Sequence, residues 1–88
     1  MTEREATIVN SLGLHARPAA QLVRLASTFQ SEVHFSKEGF DVNGKSIMGV
    51  MMLAAECGSA ITIRAEGPDE AQAVQALADL VARGFGET

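Results

Sequence analysis

The segment Ala60-Ile61-Thr62-Ile63-Arg64-Ala65-Glu66 alternates apolar and polar side chains without a break. Successive side chains of a strand point to opposite faces, so this strand has an apolar face, with Ile61, Ile63 and Ala65, and a polar one, with Thr62, Arg64 and Glu66. It must be buried on one side only. The rest of the chain therefore has to supply more strands beside it and an apolar cover over one face.

Both are legible. Residues Arg4 to Val9 put Ala6 and Ile8 on one face and Glu5 and Thr7 on the other, a second half-buried strand. Glu32 to Ser36 alternates with Val33 and Phe35 inward. Glu38-Gly39 suits a tight turn, and Phe40-Asp41-Val42 returns as the other arm of a hairpin before Asn43-Gly44. From about Ala16 to Phe29 the apolar positions Ala19, Leu22, Ala26 and Phe29 step by three, four and three, the spacing of an amphipathic helix. A last helix is expected from Asp69 to about Arg83, opened by Gly67-Pro68-Asp69-Glu70 and stopped at Gly84. Val74, Leu77 and Val81 share one of its faces, and Phe85 to Thr88 reads as a frayed tail.

Ser46 is a good N-cap for a short helix over Ile47-Met48-Gly49-Val50-Met51-Met52-Leu53. At about 100° per residue Val50 and Leu53 fall on one side, while Ile47, Met48 and Met51 form a stripe well away from it. A two-turn helix on so small a body cannot bury its whole circumference, so part of the Ile47, Met48, Met51 stripe should be exposed. The element order is strand, helix, strand, strand, helix, strand, helix. It implies an α+β fold: an antiparallel sheet with its helices on one face.

With 88 residues the chain is expected to be one domain, residues 1–88, and 47% apolar residues give it enough to build a core without disulfides. Seven Lys and Arg against eleven Asp and Glu leave a net charge of −4, which argues against nucleic acid and anionic membrane surfaces as partners. A lone cysteine, Cys57, no run of 18 apolar residues and no secretory signal pattern point to a cytoplasmic protein. The charge is unevenly spread. No Asp or Glu occurs from Ala6 to Ser31, where Arg17 and Arg24 lie, whereas Asp69 to Thr88 carries a net −3. The acid-free stretch is where an anion would be tolerated.

Within it lies Leu12-Gly13-Leu14-His15-Ala16-Arg17-Pro18, where a strand gives way to a helix through a turn that Gly13 eases. His15 thus falls at the N-terminus of the first helix. Unpaired backbone N–H groups and the positive end of the helix dipole there favour a neutral ring with a free nitrogen lone pair. If the electrophile it attacks is a phosphoryl group, the same N–H groups receive its oxygens and Arg17 adds a charge-assisted contact. Pro18 fits the first turn, which has no use for its missing N–H. By spacing alone the plainer reading of His15, a helix cap or polar turn residue, is the favoured one, because a single His with a nearby Arg is a short motif. His34 falls on the polar face of its strand and reads as solvated. The spacing of His15, His34 and Cys57 matches no zinc pattern, so no metal is expected.

Gly13-Leu14-His15-Ala16-Arg17-Pro18-Ala19 resembles the active-site signature of HPr, the histidine-containing phosphocarriers of the bacterial phosphoenolpyruvate-dependent phosphotransferase system. Lys45-Ser46-Ile47-Met48-Gly49-Val50-Met51 resembles the same family's second signature, around a regulatory serine, and the likeness runs along the whole chain. The resemblance implies an open-faced β-sandwich: a four-stranded antiparallel sheet with three helices on one face. It implies a carrier rather than an enzyme, with no cofactor, in which His15 takes a phosphoryl group on Nδ1 from phospho-enzyme I and passes it to enzyme IIA components of sugar permeases. Arg17 would steady the phosphoryl oxygens. Ala16, Arg17, Ala20, Arg24, Ile47, Met48 and Met51 would form the docking surface, and Ser46 would be the target of an HPr kinase/phosphorylase. A monomer is the simplest state for such a carrier. The alternative is a regulatory or nitrogen-linked phosphorelay without sugar transport. Gly44, where relatives carry larger side chains, is expected to loosen the loop leading to Ser46.

Overall fold

The computed structural model describes residues 1–87. Its elements run β1 (Thr2–Thr7), α1 (Ala16–Ala26), β2 (Glu32–Lys37), β3 (Phe40–Asn43), α2 (Ile47–Met52), β4 (Ala60–Glu66) and α3 (Glu70–Ala82), followed by a 3-10 turn over Gly84–Gly86. The four strands form one sheet in the order β1-β4-β2-β3, antiparallel throughout. The alternating segment, β4, is thus a central strand. Ala65 lies between Thr2 and Val33, and Ile63 between Arg4 and Phe35. The three helices share one face of the sheet, which is the α+β arrangement that the pattern implied and the open-faced sandwich that the resemblance implied.

Ile61, Ile63 and Ala65 join Val33 and Phe35 beneath Leu22, Val74 and Leu77 in one contiguous buried cluster. The opposite face carries Thr62, Arg64, His34 and Asp41, where an Arg64–Asp41 ion pair at 3.1 Å stays in reach of water. Such a pair contributes about 0.2–1 kcal/mol, whereas cutting a buried isoleucine back to alanine costs about 2–5 kcal/mol. The covered face, not the open one, holds the sheet together. His34 lies on that open face, as its strand register predicted, but is half-buried rather than freely solvated.

Several boundaries differ from the sequence expectation for local reasons. β1 starts two residues before Arg4 and ends at Thr7, because its pairing with β4 is complete from Thr2 to Thr7. Ile8 still exchanges backbone bonds with the loop before β4, donating to Ser59 at 2.9 Å and accepting from Gly58 at 2.8 Å. α1 stops at Ala26 rather than Phe29, where the chain is drawn across to α3. Asp69 accepts the backbone N–H groups of Gln30 and Ser31, each at 2.9 Å, and the Ser31 hydroxyl as well. Asp69 therefore ties the α1–β2 connection to the start of α3, although its side chain does not cap α3 itself.

The frayed tail is the clear correction. Phe85 is 4% exposed and belongs to the core cluster. Its φ of 60° is left-handed, and Gly84 and Gly86 beside it, at 64° and 75°, turn the chain enough to drive the ring inward. Thr88, the other end of that expected tail, lies outside the described residues.

The carboxyl of Asp69 is held below its ordinary value, first by the Ser31 hydroxyl and next by the Gln30 N–H. Glu70 is lowered from 4.5 to about 2, first by the Met1 amino group and then by the Thr2 hydroxyl. Depressed carboxyls bind protons more readily in the unfolded chain, so their contribution is complete above 4.5 and is lost as pH falls toward about 2. The urea midpoint should fall across that window, and Glu70→Gln should show a shallower decline; an equal decline in both proteins would contradict this.

Candidate functional site

Gly13 decides where His15 stands. Its φ is 70°, and a Cβ there would lie 2.7 Å from the Ala55 carbonyl oxygen, so only glycine fits without moving backbone. The close approach lets the Leu14 N–H donate to the same carbonyl at 2.8 Å, fastening the end of the turn to the chain after α2. Leu14 is buried, and the next residue enters the helix as its N-cap.

His15 has extended backbone angles (φ −81°, ψ −171°), and its carbonyl accepts the Ala19 N–H at 3.0 Å, the first bond of α1. It is the N-cap by position, but its side chain makes no capping bond, so the imidazole is not used to close the helix end. The imidazole is 36% exposed. Pro18 is buried and has no N–H, so the free donors of the first turn are those of Ala16 and Arg17. No acidic side chain occupies that turn. Arg17 is exposed and has no hydrogen-bond partner among the described residues.

Two groups the sequence reading passed over complete the site. The Glu87 carboxylate lies on His15 Nε2, with its oxygens at 3.2 and 3.1 Å. Asn10, 3% exposed, donates through Nδ2 to Glu87 at 3.0 Å and to the Gly13 carbonyl at 2.7 Å. The His15 hydrogen bond is the largest cause holding the Glu87 carboxyl below its ordinary range; Asn10 and the charge of Arg17 add to it against partial desolvation. The helix N-terminus is thus not the sole influence on the imidazole. An apolar residue between two glycines, Gly84-Phe85-Gly86, was the available sign that the tail is anchored.

α2 packs beside α1, so the exposed Ile47, Met48 and Met51 lie on the helix next to Ala16, Arg17 and Ala20. Met48 is 75% exposed, and Met52, not singled out by periodicity, is 63% exposed. Val50 and Leu53 are buried as expected. Arg24 lines a shallow cavity of about 390 Å³ between α1 and α3 with Leu25, Leu80 and Arg83. Ser46 is the N-cap of α2, its hydroxyl accepting the Gly49 N–H at 3.1 Å. Cys57 lies exposed in the loop before β4. Among the described residues no three His, Cys, Asp or Glu side chains are grouped to hold a metal. Nor is any described helix long and apolar enough to cross a membrane.

The family model described as the PTS HPr component phosphorylation site matches residues 2–83. The chain belongs to the HPr family. HPr proteins are the phosphocarriers of the phosphotransferase system. The phosphocarrier protein HPr of Cupriavidus necator is 54% identical over 87 residues, covering 99% of this chain and 98% of that one. That of Xylella fastidiosa is 52% identical over 87 residues with the same coverage. Among solved structures, HPr of Thermoanaerobacter tengcongensis superposes with a TM-score of 0.96 at 46% identity, covering 100% of this chain and 99% of that chain. Crh of Bacillus subtilis, described as a swapped dimer, matches with a TM-score of 0.77 at 42% identity, covering 96% and 97%.

Gly44 does not loosen the segment before Ser46. It is buried, its N–H donates to the Val33 carbonyl at 2.7 Å, and a Cβ would sit 2.6 Å from Val33 Cγ1 and 2.9 Å from Phe35 Cε2. The missing side chain lets this HPr loop press on the hairpin. Gly44→Ala should therefore destabilise the protein by about 1–3 kcal/mol in urea unfolding, through overpacking; unchanged or raised stability would count against that account.

Proposed function

We propose that His15 accepts a phosphoryl group from phospho-enzyme I and delivers it to enzyme IIA components of sugar permeases, the chain acting as a co-substrate of those phosphotransferases. The observation that carries this reading is the half-exposed imidazole at the N-cap of an 11-residue helix, making no capping bond and lying beside the open N–H groups of Ala16 and Arg17. An attacking lone pair and an anion-binding helix terminus then share one position. Transfer between two histidines asks for alignment and charge stabilisation rather than a cofactor. Arg17, without a hydrogen-bond partner among the described residues, is available to the phosphoryl oxygens.

The exposed stripe of Ile47, Met48 and Met51 on α2, next to Ala16, Arg17, Ala20 and Arg24 on α1, serves as the docking surface. Methionine suits such a surface because it repacks against more than one partner. Ser46 is the regulatory phosphorylation site of an HPr kinase/phosphorylase: at a helix N-terminus added negative charge is well tolerated, yet it repels a partner with acidic groups. The carrier works as a single cytoplasmic domain over residues 1–88 and as a monomer; the swapped dimer of Crh marks the competing state.

Incubation with enzyme I and phosphoenolpyruvate should add one acid-labile, base-stable phosphate by intact mass, and His15→Ala should take up none; an unmodified wild type would overturn the reading. With an HPr kinase and ATP the wild type should gain one acid-stable phosphate that Ser46→Ala lacks. Equal labelling of the two would remove Ser46 from the scheme.

A further inference from the structure

The arginines of this chain divide into those the fold has engaged and those it has not. Arg64 pairs with Asp41, and Arg4 donates to the Gln75 side chain at 3.4 Å. Arg17 stands beside His15 in the first turn of α1. Arg24 and Arg83 are exposed and have no hydrogen-bond or ion-pair partner among the described residues, yet both line the same cavity. Asp79, one turn before Arg83 on α3, is spaced to pair with it, but its carboxylate accepts the Gln75 amide at 2.9 Å instead.

The cavity is a groove between α1 and α3. α1 packs against both α2 and α3, while α2 also meets β3 and α3 lies over β1 and β4, so the groove runs along the flank of α1 away from α2. It is thus separate from the Ile47, Met48, Met51 stripe. Leu25 and Leu80 pack partly against the core and leave the rest of their apolar surface in the groove. Gln21 and Thr28 add an amide and a hydroxyl, and no carboxylate lines it. A volume of about 390 Å³ falls in the range that holds small organic ligands.

Two guanidinium groups on one cavity repel each other, and a bound anion relieves that repulsion. A phosphate monoester carries about −1.5 to −2 at neutral pH and offers three acceptor oxygens to guanidinium N–H groups. A single carboxylate would leave one of the two charges uncompensated. The leucines, for their part, gain from being covered by apolar surface. We propose that the groove between α1 and α3 binds a small organic phosphate monoester, its head held by Arg24 and Arg83 and its compact apolar body against Leu25 and Leu80. The proposal does not rest on the chemistry of His15.

The test titrates the full-length protein with phenyl phosphate and follows backbone amide and arginine Nε–H signals by NMR. Saturable shifts are expected at Leu25, Leu80 and both arginine side chains. Inorganic phosphate, which lacks the apolar body, and phenyl sulfate, which carries one charge, should each bind about tenfold more weakly. Arg24→Gln and Arg83→Gln should each lose about tenfold in affinity, and their amide spectra check that the fold is kept. Arg17→Gln should bind as the wild type does, because Arg17 lies outside the groove. Shifts confined to Gly13 to Arg17, the mark of anion capture at the helix terminus alone, would overturn the proposal. Wild-type affinity in Arg83→Gln, or inorganic phosphate binding as tightly as phenyl phosphate, would overturn it as well.

Discussion

The burial of one face of β4 is the contact on which everything else is hung. Ile61, Ile63 and Ala65 lie in the middle of the sheet, with β1 on one side and β2 on the other, and the helices can be placed only where they cover those three side chains. A fully buried isoleucine contributes about 1.5–3 kcal/mol, more than any exposed ion pair on the open face. Once β4 is fixed, Ala55 just before it is fixed as well. Its carbonyl is the peg against which Gly13 and Leu14 turn. The position of His15 is thus tied, through the Ala55 carbonyl, to the layer that covers the sheet.

Much of this was legible in the sequence because it depends on short-range periodicity. The period of two in 60–66 and the period near 3.6 read over 16–29, of which 16–26 is helical, both report burial directly, and the exposed stripe of α2 followed from the impossibility of burying a short helix all round. What could not be read were contacts between residues distant in the chain. Glu87 and His15 are 72 residues apart, and nothing in the local pattern of either announces the other. Gly44 was misjudged for a related reason: a missing side chain reads as freedom along the sequence, whereas in the fold Val33 and Phe35 fill the space. Phe85 was legible in principle, since an aromatic ring between two glycines in a charged tail needs a reason to be there.

The charge distribution also changes meaning in three dimensions. The acid-free stretch from Ala6 to Ser31 suggests an electropositive patch, yet the folded chain brings one carboxylate back onto it from the far end. That carboxylate is spent on a ring nitrogen and a buried amide. Arg17, by contrast, has no hydrogen-bond partner among the described residues, and no acidic side chain occupies the first turn of α1. Neither surface pattern nor net charge would have drawn that division.

The sheet order has a consequence in time. β1 is made before its partner β4, and Asn10 and His15 wait for Glu87, so the site closes between segments 77 and 72 residues apart. Contacts of such wide sequence separation form late, after long loops have been closed. A growing chain therefore displays the whole Gly13 to Ala19 motif long before that motif has the backbone peg of Ala55 or the carboxylate that steadies its ring. During synthesis the motif exists as letters first and takes on its folded surroundings only once Glu87, 72 residues after His15, has emerged.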